Sequence, residues 1–194
     1  MKNLLALILL ILSTPLFAQE IPSKEIQIKT ALLAAPEDQR EGAKVYGYSS
    51  SGEFITLREG TNQIICIADE PGNSGFSVAS YHVSAEPFMA RGRELKKEGM
   101  GFQEIFDTRE AEAKAGKLKL PDTGSLLNVM NAKLEDVNWT TGEVKNAYTR
   151  SVVYIPWATS ESTGLPTGPA GPGLPWIMDP GTHRAHIMIT PAKD

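Results

Sequence analysis

Two stretches with helical periodicity, residues 84–97 and 102–115, stand back to back in a chain whose other patterned segments read mostly as short strands. That order, strands then helices then strands, constrains the fold more than any other feature. It suits an α+β architecture with the helices gathered on a sheet, and not a wound parallel sheet built from alternating units. In the first stretch Ser84 is placed to cap a helix, with Glu86 and Pro87 in its first turn and Phe88, Gly92 and Leu95 as an inner stripe. Gly99 and Gly101 break it. The second stretch puts Phe102, Ile105, Phe106 and Ala113 on one side.

The flanking segments fill in the plan. Lys24 to Ala35 reads as a short helix ended by Pro36, placed to cover an edge of the sheet. Residues 44–48, 53–58, 63–68 and 76–83 read as strands joined by polar turns, the pattern of a four-stranded meander. After the helices, 126–130 and 185–190 are strands, and 138–140 with 143–155 suggest a hairpin turning at Thr141-Gly142. The segment Pro156 to Gly181 has 11 Gly or Pro among 26 residues, too many for regular structure. The expected fold is α+β: a single domain with a curved antiparallel sheet, two central helices packed on one face and a long Gly/Pro-rich loop.

Residues 1–18 stand apart. Lys2 precedes nine apolar residues, Leu4 to Leu12, and a region ending at the small residue Ala18. This is the layout of a secretory signal peptide, and its apolar run is shorter than the ~20 residues of a spanning helix. With no cysteine following it, a lipid anchor is not expected. The single globular domain then covers residues 19–194, with a periplasmic or secreted location and no membrane span. The formal net charge of −4, one unit more negative once Lys2 is removed, argues against nucleic acid as a partner. Cys66 is the only cysteine, so no intramolecular disulfide is possible and the apolar core must hold the fold. Its setting in Ile64-Ile-Cys-Ile67 is that of a buried thiol.

Chemistry-bearing residues are few. Of three histidines, His82 sits where a strand gives way to a helix, and His183 and His186 form a His-x-x-His within Asp179-Pro-Gly-Thr-His-Arg-Ala-His186. Chelation by that pair alone needs a bulge or loop, because positions three apart on a strand face opposite ways. A site shared between the strand ends would gather His82, Trp176, Asp179, His183 and His186, with His82 and His186 as weak metal candidates. No Walker loop, strand-linked Gly-x-Gly-x-x-Gly, nucleophile elbow or His-Glu-x-x-His occurs, so the sequence leaves any cofactor unknown. Gly72-Asn-Ser74-Gly75 has the look of a serine-protease nucleophile loop over four residues only, and it reads as a β-turn. The Gly/Pro segment carries Trp157 and Trp176 and is the strongest hint of a binding loop.

Thr56-Leu-Arg-Glu-Gly60, Tyr81-His82, Glu86 to Leu95, Ser162-Thr-Gly-Leu-Pro166 and Trp176 to Met188 together resemble a family of exported bacterial proteins without assigned function. The resemblance spans nearly all of residues 19–194 and implies no catalytic residue. The expected function is that of an exported soluble domain binding a small ligand or a protein partner. The alternative is a metal-dependent or hydrolytic enzyme using His82 with His183 or His186, completed by Asp179 or Glu86.

Overall fold

The computed structural model describes residues 21–189 and Pro191; the signal-like residues 1–18 lie outside them. The elements in chain order are α1 (Lys24–Ala31), β1 (Lys44–Tyr48), β2 (Phe54–Arg58), β3 (Ile64–Ile67), β4 (Phe76–His82), α2 (Glu86–Lys97), α3 (Phe102–Lys114) and β5 (Ser125–Ala132). They continue with β6 (Val137–Asn138), β7 (Glu143–Val144), β8 (Tyr148–Tyr154), the single turn α4 (Ser160–Thr163), β9 (Trp176–Met178) and β10 (His186–Ile189). Eight strands form one mostly antiparallel sheet in the order β2-β1-β3-β4-β5-β8-β10-β9, while β6 and β7 pair separately. The chain is α+β, as its periodicities predict.

The first four strands are not a meander. β2 folds back outside β1, so β1 and β3 lie side by side and parallel. Three buried β-branched or thiol side chains in a row, Ile64, Ile65 and Cys66, make β3 an interior strand covered on both faces. That burial draws β1 and β4 to either side of it and leaves the exposed β2 at the rim.

Helices cover both faces. Tyr81 on β4, Leu127 on β5 and Val152 on β8 stand opposite one another and pack under Phe88 of α2. The residues of opposite parity, Val45, Ile64 and Cys66, face Ala31 of α1 and the turn after it. Thus α1 lies on the second face and not at an edge. Its anchor is Gln27, buried, whose side chain accepts from Tyr48 N at 2.8 Å and donates to Tyr48 O and Pro22 O at 2.9 Å. Gly47 leaves room for this anchor, since a Cβ there would meet Leu57 Cδ1 at 2.4 Å and Gln27 Oε1 at 2.6 Å.

α2 begins at Glu86 after a single 3-10 turn that His82, not Ser84, caps: Ser84 N–H donates to His82 Nδ1. The predicted stripe holds, with Phe88 and Leu95 buried and Gly92 close to the Arg109 guanidinium of α3. α3 is less deeply set. It has no fully buried residue, and Phe102, expected on its inner side, is 68% exposed. The expected long hairpin divides in two, β6–β7 and then β8, at Asn146, which takes a left-handed φ of 49°. The Gly/Pro segment is more regular than its composition predicts. It holds α4, and Trp176 lies in the edge strand β9, paired with β10.

Candidate functional site

The histidines do not gather. Tyr81 stands opposite Leu127, and His186 stands opposite Tyr154, itself opposite Ser125. His82 and His186 are therefore three strands apart, roughly 14 Å at the usual interstrand spacing. They also differ in parity: His82 follows Val78 and Ser80, whose side chains turn toward α1, while His186 shares the face of Tyr154 and Met188 under α2. On this geometry His82 and His186 are not in direct contact. Glu86 is separate too, held by Tyr81 Oη and by Arg93 at 2.7 Å. Among the described residues no group of three or more His, Cys, Asp or Glu side chains could hold a metal ion.

The other four predicted residues, Trp176, Asp179, His183 and His186, do share one corner, where the turn between β9 and β10 meets α2 and α3. His183 is the centre of it. Its ring lies among Phe88, Phe106 and Trp157, with centroids 5.7, 4.8 and 6.5 Å away. Its Nδ1 meets Glu110 Oε2 at 3.1 Å. Lys114 and His183 lower the pKa of Glu110, so that the carboxylate accepts and the ring proton sits on Nδ1. Nε2 is then a bare lone pair, buried and without a partner. Burial lowers the pKa of His183, against the opposing pull of Glu110.

The remaining groups of the corner partner one another. Asp179, at a left-handed φ of 52°, binds Arg184 at 2.6 Å, and its carbonyl accepts from Thr182 Oγ1 at 2.8 Å. His186 Nδ1 donates to Arg184 O at 2.7 Å, and burial lowers its pKa. Trp176 packs toward the core. A general base needs a lone pair that substrate can reach. The lone pair of His183 faces protein on all sides, its side chain having no exposed surface. The arrangement serves as a clamp that seats the C-terminal turn against α3.

A concavity lies elsewhere. At the opposite end of the central strands, a full β4 away or roughly 20 Å, a cleft of about 990 Å3 opens where β4 begins, β5 ends and β8 begins. Ser77, Asn131 and Tyr148 form one row across these three strands, on the face that carries α2 and α3. Neither helix contributes a lining residue. Asn73, Ser74 and Asn146 close the rim, so the Gly-Asn-Ser-Gly turn borders the cleft. Asp69 braces that turn by accepting from Ser77 N at 2.8 Å, and burial raises its pKa to about 6.

Three charged side chains line the cleft. Lys133 pairs with Glu135 at 3.2 Å, and Asp136 accepts from Asn146 Nδ2 at 2.8 Å. On the floor, Asn131 Nδ2 is buried with no acceptor. A buried donor without a partner costs about 1–3 kcal/mol, and such a group calls for a reason. Sequence reading passed over this cleft because amides and hydroxyls scattered over residues 73–148 form no motif. The only local signal was the polar loop before β4.

An eight-stranded, mostly antiparallel sheet with helices on both faces and a polar cleft at the strand ends defines this protein's class by architecture alone. Comparison with family models, curated proteins and solved structures finds no match for the chain.

Proposed function

We propose that this chain is an exported bacterial binding protein that holds a small ligand in the cleft at the start of β4 and β8, without catalysis. The observation that carries the reading is the convergence there of neutral hydrogen-bonding groups around the unpaired Asn131 amide. Few, well-placed polar groups in a preformed concavity are what a ligand site requires. The histidine corner, by contrast, satisfies its polar groups mostly from within, and the lone pair of His183 is not reachable. Export rests on the signal-like residues 1–18. No helix among the described residues is long and apolar enough to cross a membrane.

The test is a paired measurement on Asn131→Leu. If the amide is kept for a ligand, the leucine variant is as stable as the parent or more so, by about 1 kcal/mol, because an unpaired polar group is replaced by an apolar one. Small-molecule fragments that shift the amide resonances of Ser77 and Asn131 in the parent then fail to bind the variant. A variant that is destabilised and binds the fragments unchanged gives the amide a structural role and ends the reading.

A further inference from the structure

We infer that the ligand class of this cleft is a neutral saccharide, an inference that rests on the cleft being a ligand site. Three observations point to it. The first is charge. Lys133 and Glu135 offset each other, and Asp136 leaves a surplus of one negative charge. The one cationic side chain of the lining, Lys133, is already paired with Glu135, and a lone acidic surplus does not make a cation site.

The second is the stock of neutral groups. The side chains of Asn73, Ser74, Ser77, Asn131 and Asn146 are amides and hydroxyls, which donate and accept alike. A sugar hydroxyl is likewise donor and acceptor at once, so each can satisfy a pair of such groups. Asp136 adds an acceptor with lone pairs beyond the one Asn146 uses.

The third is Tyr148, a large aromatic 44% exposed at the cleft wall in the same cross-strand row as Asn131. An aromatic face beside hydrogen-bonding groups suits a ring with apolar C–H faces and a polar rim, and a pyranose has that shape.

Asn131 supplies the specificity. Its Nδ2 is shielded from solvent and has no acceptor within the protein, and a half-turn about the last side-chain torsion exchanges the places of Nδ2 and Oδ1. A sugar hydroxyl or ring oxygen then provides the acceptor that the protein does not.

The experiment uses the chain from Gln19 onward, labelled with 15N. It is titrated with cellotetraose, maltotetraose and chitotetraose and screened against an array of uncharged glycans, with N-acetyl-tetraalanine amide and inorganic phosphate as comparison probes. The expected result is binding of at least one uncharged glycan, with shifts at Ser77, Asn131 and Tyr148. Tyr148→Ala weakens that binding by about tenfold or more, and Tyr148→Phe by no more than about threefold. If the peptide or phosphate shifts these resonances and no glycan does, the saccharide class is wrong while the cleft remains a ligand site. If no probe and no small-molecule fragment shifts them, the cleft reading fails and takes the saccharide with it. Binding that Tyr148→Ala leaves unchanged overturns the stacking geometry and the class drawn from it.

Discussion

Glu110 Oε2 lies 3.1 Å from His183 Nδ1, although 73 positions separate the two residues in the chain. The contact joins the surface helix α3 to the turn before β10, and few other polar contacts cross that seam. Glu110→Ala would leave a fully buried imidazole N–H without an acceptor. The expected loss is about 1–3 kcal/mol, read as a lower denaturation midpoint in urea. Glu110→Gln keeps an acceptor oxygen and recovers most of the loss. Equal losses in the two variants would show that the hydrogen bond is not what holds the seam.

The same imidazole gives the protein a pH dependence whose sign can be worked out. Burial lowers the pKa of His183, so the unfolded chain takes up that proton more readily than the folded one. Stability then falls as pH drops below about 6.5 toward the lowered value, and His186 acts in the same direction. Glu110, whose pKa is also lowered, adds a further loss below its ordinary value near 4.5. Asp69 opposes them, because burial raises its pKa from 3.8 to about 6 and the folded chain binds that proton more tightly. Urea midpoints at pH 7, 6 and 5 are expected to fall more steeply for the parent than for His183→Leu. Parallel slopes would sink the assignment to His183.

Cys66 is a buried thiol, with no exposed surface and a pKa raised to about 12 by burial. A thiol reagent should label the native protein very slowly and the unfolded protein at once. Cys66→Ser should cost about 1–3 kcal/mol, since the hydroxyl is buried in a mostly apolar setting with Ser80 as its polar cross-strand neighbour. Rapid native labelling would contradict the packing of β3.

Gly47→Ala should destabilise by about 1–3 kcal/mol through overpacking, because its Cβ would press on Leu57 and on the Gln27 anchor of α1. Trimming the neighbour in the double variant Gly47→Ala with Leu57→Val should cost less than the two single changes added together. Strict additivity would mean that the clash is relieved elsewhere.

The export reading predicts cleavage at or near Gln19. N-terminal sequencing of material from the periplasm or medium of a bacterial host decides it. Intact Met1 in a membrane fraction would refute it.

What the sequence determined by itself was local. Apolar spacing placed α2 and α3 and most strands, the β-branched run marked β3 and the buried Cys66, and the block order predicted an α+β chain. These patterns act over a few residues, so they are legible without a fold. Order within the sheet was not legible. Whether β2 lies outside β1 or between β1 and β3 depends on which edges find partners far along the chain. The Gly/Pro segment misled for a similar reason: Trp176 to Met178 gains strand geometry only from the ladder that β10 offers. The site divided along the same line. The corner of Trp176, Asp179, His183 and His186 was visible because its members lie within eleven residues of one another. Its partner Glu110, and the separation of His82 from His186 by three strands, came only with the tertiary structure. The cleft is tertiary throughout, since Ser77, Asn131 and Tyr148 become neighbours only when β4, β5 and β8 pair in register.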